Sequence, residues 1–382
     1  MVTNLDDLKK IREDIDKVDN KLLELFEYRI ELSHKVADYK KENNLPVYDP
    51  AREEEKLAHL RNTAKNQMNA DGISNLFSQI MAISRQVQYS ELAHYEDLGF
   101  ASVDDFLAEP HTKIAYYGET GSYTEQAMKE YFKGQGIGIS MDTFEDVMKA
   151  LDNGQADYGV LPIENSSTGT LSDIFDLLAD YDNYIIGEHV IAIDHNLWGL
   201  NEAAINDIKK IYSHRQGLLQ CSGFLKGHPD IETVEGRSTA ASARKVWSDK
   251  DISQAAIASK NAGETYGLKL LKASIHNNEN NQTRFIVISN KRICLEKSNR
   301  ISVCFVLPHR SGSLYNILSH FIHNNINMTR IESRPIRGKA FRYRFFVDFE
   351  GDLKSVDVKS AIYAINQEAD ELKILGSYIP VE

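Results

Sequence analysis

Between Leu5 and Glu42 the chain has neither proline nor glycine, and apolar residues recur every three or four positions, at Leu8, Ile11, Ile15, Val18, Leu22, Leu25, Leu32, Val36 and Tyr39. Asn4 suits an N-cap, and Asp6 and Asp7 suit the first turn. One helix over this span would be about 57 Å long at 1.5 Å per residue. Nothing in a domain of roughly 100 residues can cover such a stripe, so the expected cover is the same helix of a second chain.

Cations interrupt the stripe. At about 100° per residue, Arg29 and Lys40 lie within about 20° of each other inside it, and Arg12 sits on its edge. Unpaired buried cations are costly, so three together point to an enclosed anion. Arg12 is about 25 Å from Arg29 along the axis, too far to share a compact site within one chain. It is expected to reach into the partner's site. After the turn at Asn43–Pro46, a second helix carries Asp49, Arg52 and Glu53 at i, i+3 and i+4 spacing. A third, over about 73–94, sets Ser84 and Gln88 beside Ile73, Phe77, Ile80 and Val87. The result is an all-helical pocket with several cations, the carboxylates of the second helix and two neutral donors.

With this set, residues 1–94 resemble the all-helical chorismate mutases, which are intertwined dimers. The resemblance implies that Arg29, Arg52 and Arg12 of the partner subunit hold the two carboxylates of chorismate. Lys40 and Gln88 would bond the ether oxygen and Glu53 the ring hydroxyl, with Asp49 and Ser84 completing the pocket. The reaction is pericyclic and needs no nucleophile, metal or cofactor. Catalysis would come from holding the reactive chair and stabilising charge on the breaking C–O bond.

The formal net charge of −12 over 382 residues argues against nucleic acid as a partner. No apolar run approaches the ~20 residues of a membrane span. The charged N-terminus lacks the apolar core of a signal peptide. Cys221, Cys294 and Cys304 have neither metal-site nor paired-disulfide spacing. These features read as a cytoplasmic, reduced protein.

Residues 95–112, with Gly99 and Pro110, read as a linker. From Lys113 to about 292 strand and helix patterns alternate, which predicts a doubly wound α/β domain large enough for two lobes. Helices are expected from 122, 144, 171 and about 203, then over 216–226 and 239–247. The stretch Ala156–Thr170 reads as a buried strand from Tyr158 to Ile163, stopped by Pro162, then seven small or polar residues before the helix at Leu171. A polar run between strand end and helix start is where ligands bind in such domains. Similar runs occur at Gly118–Tyr123, Ser213–Gln216 with Gln220, Ser238-Thr239 and Thr283-Arg284-Phe285. The glycines of the first match neither a dinucleotide nor a Walker pattern, so no nucleotide is inferred.

The motifs Gly118–Tyr123, Val160–Ser167, Tyr212–Cys221, Ser238–Ala241 and Gln282–Phe285 closely resemble those of prephenate dehydratases. Arg215 stands where that family usually has proline. The resemblance implies a two-lobed fold similar to periplasmic binding proteins, with prephenate between the lobes. It makes Thr283 the essential hydroxyl, donating a hydrogen bond or proton to the leaving hydroxide. A threonine is a weak acid, which leaves Glu164 and His214 as two candidates for supplying the proton. Asn165, Ser213, Gln220, Ser238 and Thr239 would position substrate, and Arg284 would support structure or a carboxylate.

Residues 299–382 read strand–helix–strand–strand–helix–strand, the split ferredoxin-like order. They resemble the ACT regulatory domain. Gly312-Ser313-Leu314 and Glu332-Ser333-Arg334-Pro335 fall at its two phenylalanine-binding motifs, with Ser313 for the usual alanine. The three resemblances follow the order found in bifunctional chorismate mutase–prephenate dehydratases of phenylalanine biosynthesis. They imply chorismate and prephenate as substrates, L-phenylalanine as inhibitor, and a homodimer or larger homo-oligomer. The competing class is a non-catalytic amino-acid sensor with a helical dimerisation arm. It gives no reason for Arg29 and Lys40 on an apolar face. An enzyme keeping one of the two activities is the narrower alternative.

Overall fold

The computed structural model describes residues 5–93, 97–106, 108–310 and 312–381. Asn4 and the boundary expected at 94–95 lie outside these residues. The chain forms two compact units, one joining Met1–Leu98 to Cys304–Leu372 and the other joining Gly99–Val303 to Lys373–Glu382.

In the first unit, α1 spans Leu5–Glu42, α2 Pro50–Thr63 and α3 Gln67–Ala93. Proline opens α2 because its missing N–H and fixed φ suit the first helical position. Asp49 is the N-cap, its carboxylate accepting from the Arg52 backbone N–H at 3.0 Å. That places Asp49 just outside the helix that the spacing had it ride on. The third helix begins earlier than expected, at Gln67, just after Asn66, whose side chain accepts from the Asn69 N–H at 2.9 Å. The α1 stripe is open in the single chain, with Ile15, Val18, Leu22 and Leu25 all more than half exposed.

The C-terminal part of this unit supplies the helices Ser313–His323 and Val356–Glu368 and the paired strands Met328–Pro335 and Tyr343–Glu350. The element order from Arg300 to Tyr378 is the one expected. Tyr89 of α3 is fully buried, its ring edge-on to His320 at 5.6 Å and to Tyr363 at 5.9 Å. Val47 and Ala364 share that core. A buried tyrosine of this size contributes about 1.5–3 kcal/mol through its apolar area, so the helical segment and the C-terminal segment stabilise each other.

The second unit has two lobes. One sheet runs in the order Tyr184–Ala192, Gln282–Ser289, Tyr158–Asn165, Lys113–Tyr117, Ile137–Met141. The other runs Lys269–Lys272, Asn196–Gly199, Gln254–Ala258, Lys210–Ser213, Glu232–Glu235. Alternating αβ sequence produces the parallel pairs 113–117 with 137–141 and 210–213 with 232–235. Each sheet has its own core, around Ile114, Val160 and Phe285 in one and Trp198, Tyr212 and Ala256 in the other.

Several expectations are corrected. Pro162 does not stop its strand, which runs on to Asn165 through a register shift opposite Arg284/Phe285. The polar run after it folds back as a hairpin, Gly169-Thr170 pairing with Glu164-Asn165, and the helix starts at Ser172. The helix expected near 203 is one turn, Ile205–Asp207. That over 216–226 is two short helices, Arg215–Gln220 and Ser222–Lys226, meeting at Cys221. The linker contains a strand, Ala101–Val103, paired with Ile293–Leu295. Among the described residues no helix is long and apolar enough to cross a membrane.

Candidate active sites

A cavity of about 300 Å³ opens between the two lobes of the second unit. Asn165 and Thr283 face each other across neighbouring antiparallel strands and both line it. Asn165 Nδ2 donates to Thr283 Oγ1 at 2.8 Å and to Asn281 Oδ1 at 3.0 Å. Asn165 Oδ1 accepts from the backbone N–H groups of Ser167 (2.9 Å) and Thr168 (3.1 Å). One buried amide thus shapes the hairpin and fixes the threonine hydroxyl. Because Thr283 Oγ1 receives a hydrogen bond, its own proton is available to the cavity.

Side chains alternate along a strand, so neighbours of these two point the other way. Glu164 and Arg284 are 3.9 Å apart, Arg284 is also 3.9 Å from Glu188, and neither Glu164 nor Arg284 lines the cavity. Ser213 is fully buried and its hydroxyl donates to the Ile257 carbonyl at 2.8 Å, away from the cavity. Glu164 and Arg284 thus stand outside the cavity lining, Arg284 in the structural alternative expected for it, and Ser213, expected to position substrate, is instead held by an internal bond.

His214, Gln220, Ser238 and Thr239 do line the cavity. His214 caps Arg215–Gln220 by accepting from the Gln216 N–H at 3.3 Å through Nδ1, leaving Nε2 free of that bond. Arg215 occupies the first helical position, where proline is also well accommodated, so its substitution leaves the cap intact. Ser122 and Ser238 cap two longer helices, Tyr123–Tyr131 and Thr239–Asp249, whose first turns meet at the cavity from opposite lobes. Their N–H groups and partial positive charge suit a dianion. Two ion pairs cross from lobe to lobe beside them, Arg237–Asp142 at 2.7 Å and Arg244–Glu119 at 2.8 Å. Gly121 (φ +89°) is required by close approach, because a Cβ there would lie 2.9 Å from Cα of Ala262 in the other lobe.

His195 also belongs to this cavity. It is 3% exposed, with Nε2 2.8 Å from Gln220 Oε1 and Nδ1 3.2 Å from the Tyr123 hydroxyl. The Gln220 oxygen takes Nε2–H, which leaves Nδ1 unprotonated beside the Tyr123 hydroxyl, whose own proton goes to the Asp194 carbonyl at 2.7 Å. Burial lowers the His195 pKa from the ordinary histidine value, with Gln220 opposing, which favours the neutral ring. The signal in the chain was Asp194-His195-Asn196, a polar triplet ending the apolar run Tyr184–Ile193. Burial pushes the nearby Cys221 up to about 12, leaving it a thiol.

In the first unit the helices gather a second set. Arg29 donates to Ser84 Oγ and, at 3.3 Å, to the Ile80 carbonyl. Lys40 Nζ donates to the Val47 carbonyl at 2.6 Å. Burial lowers the pKa of both cations; Glu53 opposes it at Arg29, and Asp49 and Glu53 oppose it at Lys40. Gln88 is buried, donating to the Ser84 carbonyl at 3.0 Å, and its Oε1 has no partner among the described residues. Glu53 pairs with the buried Arg85. Arg12 and Arg52 are exposed in the single chain, and Arg52 pairs with Glu55 at 2.7 Å. The helical segment thus holds two half-buried cations, Arg29 and Lys40, and a buried amide oxygen with no partner among the described residues.

Residues 114–293 match the prephenate dehydratase family and residues 11–89 the family chorismate mutase type II. The bifunctional chorismate mutase/prephenate dehydratase of Pseudomonas aeruginosa is 34% identical over 379 residues, covering 98% of both chains. That of Aquifex aeolicus is 32% identical over 381 residues, again covering 98% of each. The chain belongs to the bifunctional chorismate mutase/prephenate dehydratases. Among solved structures, the prephenate dehydratase of Arthrobacter aurescens in complex with L-Phe matches with a TM-score of 0.65 and 29% identity, over 70% of this chain and 90% of that one.

The enzyme therefore rearranges chorismate to prephenate and converts prephenate to phenylpyruvate. The interlobe cavity lies within the dehydratase segment, and Arg29 and Lys40 lie within the mutase segment. Of the two regulatory motifs expected after residue 299, Ser313 and Leu314 border a second cavity of about 150 Å³ with Arg310 and Phe341. Glu332–Pro335 lie apart from it, on the strand Met328–Pro335, where Glu332 pairs with Arg330 at 3.0 Å.

Proposed function

We propose that prephenate binds with its carboxylates toward the helix starts at Ser122 and Ser238 and its ring hydroxyl against Thr283. Loss of the ring carboxylate as carbon dioxide sends its electron pair into the ring and expels hydroxide from the para carbon. One proton is consumed and water leaves, giving phenylpyruvate. The observation that carries this reading is the Asn165 to Thr283 hydrogen bond, which leaves the threonine proton for the departing oxygen. His214, with Nε2 free of its capping bond, is the group that replenishes the proton, since Glu164 turns away. Neutral His195 holds Gln220 against the substrate.

In the mutase pocket Arg29, Arg52 and Arg12 of the partner subunit hold the chorismate carboxylates. Lys40 donates to the ether oxygen as its bond to carbon breaks, with Gln88 beside it, and Glu53 accepts from the ring hydroxyl. The exposed α1 stripe supports a second copy as its cover, since an unpartnered apolar face this long is unfavourable in water. This dimer makes a quantitative prediction. Arg12→Ala and Arg29→Ala homodimers both lack mutase activity, but subunits mixed by refolding regain about a quarter of it, because half the dimers are hybrids with one intact site. Sedimentation as a monomer, or no recovery on mixing, contradicts the arrangement.

The C-terminal segment acts as an ACT domain that binds L-phenylalanine at the cavity beside Ser313 and Leu314. The phenylalanine complex of the Arthrobacter dehydratase supports this assignment. Met328–Pro335, carrying Glu332–Pro335, ends the strand order and is open to pairing with a second copy. Ser313→Trp fills the cavity, so dehydratase activity measured with and without phenylalanine becomes the same. Retained inhibition would place the effector elsewhere.

A further inference from the structure

Arg85 is a buried cation in the first unit that the mutase assignment above leaves without a role. Its side chain is 7% exposed and lies one position beyond Ser84 on α3, with the guanidinium 4.9 Å from the Tyr48 ring centre. One end of the guanidinium pairs with Glu53. At the other end Nε donates to Glu368 Oε1 at 3.1 Å. Glu368 ends the helix Val356–Glu368 in the C-terminal segment, and its side chain is 3% exposed. The same oxygen accepts from the Tyr89 hydroxyl at 3.0 Å and lies 3.3 Å from His320 Nε2.

We infer that Arg85 and Glu368 are positioning residues for the mutase reaction, holding Glu53 from behind, so that the C-terminal segment completes the mutase pocket. The inference rests on the assignment of Glu53 to the ring hydroxyl of chorismate. One guanidinium between two carboxylates cannot neutralise both. Glu53 therefore keeps negative charge for a ligand hydroxyl and for Lys40, while Arg85 fixes where its carboxylate points. Burial alone would raise the Glu368 carboxyl, but His320, Arg85 and Tyr89 outweigh it and hold the group below its ordinary value. The anchor on the far side of Arg85 is thus a charge. With Glu368 neutral, Arg85 has a single anionic partner and closes onto Glu53, blunting it as an acceptor.

Glu368→Gln keeps the size of the side chain and an acceptor for Arg85 and Tyr89, and removes only the charge. In the full-length enzyme it is expected to lower mutase kcat about 10-fold with KM nearly unchanged, an interaction gained in the transition state rather than on binding. The dehydratase rate serves as the check on folding. The deciding comparison is the cycle with Glu53→Gln. If Glu368 acts through Glu53, Glu368→Gln has no further effect once Glu53 is Gln. A merely structural role would lower the mutase rate in both backgrounds. Mutase turnover in Glu368→Gln within about twofold of the parent, or additive losses in the double variant, overturns the inference. Normal turnover in Glu53→Gln alone would instead remove the Glu53 assignment, and the inference with it.

Discussion

Thr283→Ala stops phenylpyruvate formation while chorismate is still consumed, so prephenate accumulates. The hydroxyl is buried, fixed by Asn165 and turned by that bond to donate into the cavity. Removing it leaves the departing hydroxide without its donor and leaves Asn165 Nδ2 one acceptor short. A loss on the order of 10²–10⁴-fold in kcat is expected for a positioned proton donor. Asn165 keeps Asn281 and the hairpin N–H groups as partners, so the loop should hold its shape. Prephenate turnover within an order of magnitude of the parent would remove the hydroxyl from the mechanism.

Lys40→Ala produces the opposite defect: chorismate persists, while added prephenate is converted at the parental rate. The ammonium is held by the Val47 carbonyl and flanked by Asp49 and Glu53, and burial lowers its pKa. Asp49 and Glu53 offset part of that burial, and a developing negative oxygen offsets more of it. Loss of one such donor typically costs about 10²–10³-fold in rate. A substitution of lysine by methionine, which keeps the stem and removes the charge, separates packing from electrostatics. Near-parental mutase rates in the methionine variant would show that the charge is not used.

The parts of this enzyme that could be read from the chain are those where a local rule met no competitor. An unbroken 3.6-residue period and the absence of Pro and Gly placed α1 where it is found. Strand–helix alternation put starts at 122, 144 and 239, where the caps Ser122, Thr143 and Ser238 open the helices at Tyr123, Phe144 and Thr239. Local rules fell short where long-range pairing takes over. Pro162 reads as a strand terminus, yet a register shift opposite Arg284/Phe285 carries the strand through to Asn165. Glu164 and Asn165 look equivalent as neighbours in a polar run, and only the pleat separates the one that faces the cavity from the one that does not. Arg85 sits between two expected pocket residues, but its partner Glu368 is 283 positions away, and no period or motif connects them. The shared core of α3 and the C-terminal helices was hidden for the same reason: Tyr89 reads as an ordinary core residue of α3 until His320 and Tyr363 are seen against it.

The central claim is that one chain carries two separate sites, each serving one step. The most direct measurement feeds chorismate to the parent, to Lys40→Ala, to Thr283→Ala and to an equal mixture of the two variants, and follows chorismate, prephenate and phenylpyruvate together. The account predicts phenylpyruvate from the parent and from the mixture, unchanged chorismate with Lys40→Ala, and accumulated prephenate with Thr283→Ala. Phenylpyruvate from either variant alone at the parental rate, or none from the mixture, would contradict it.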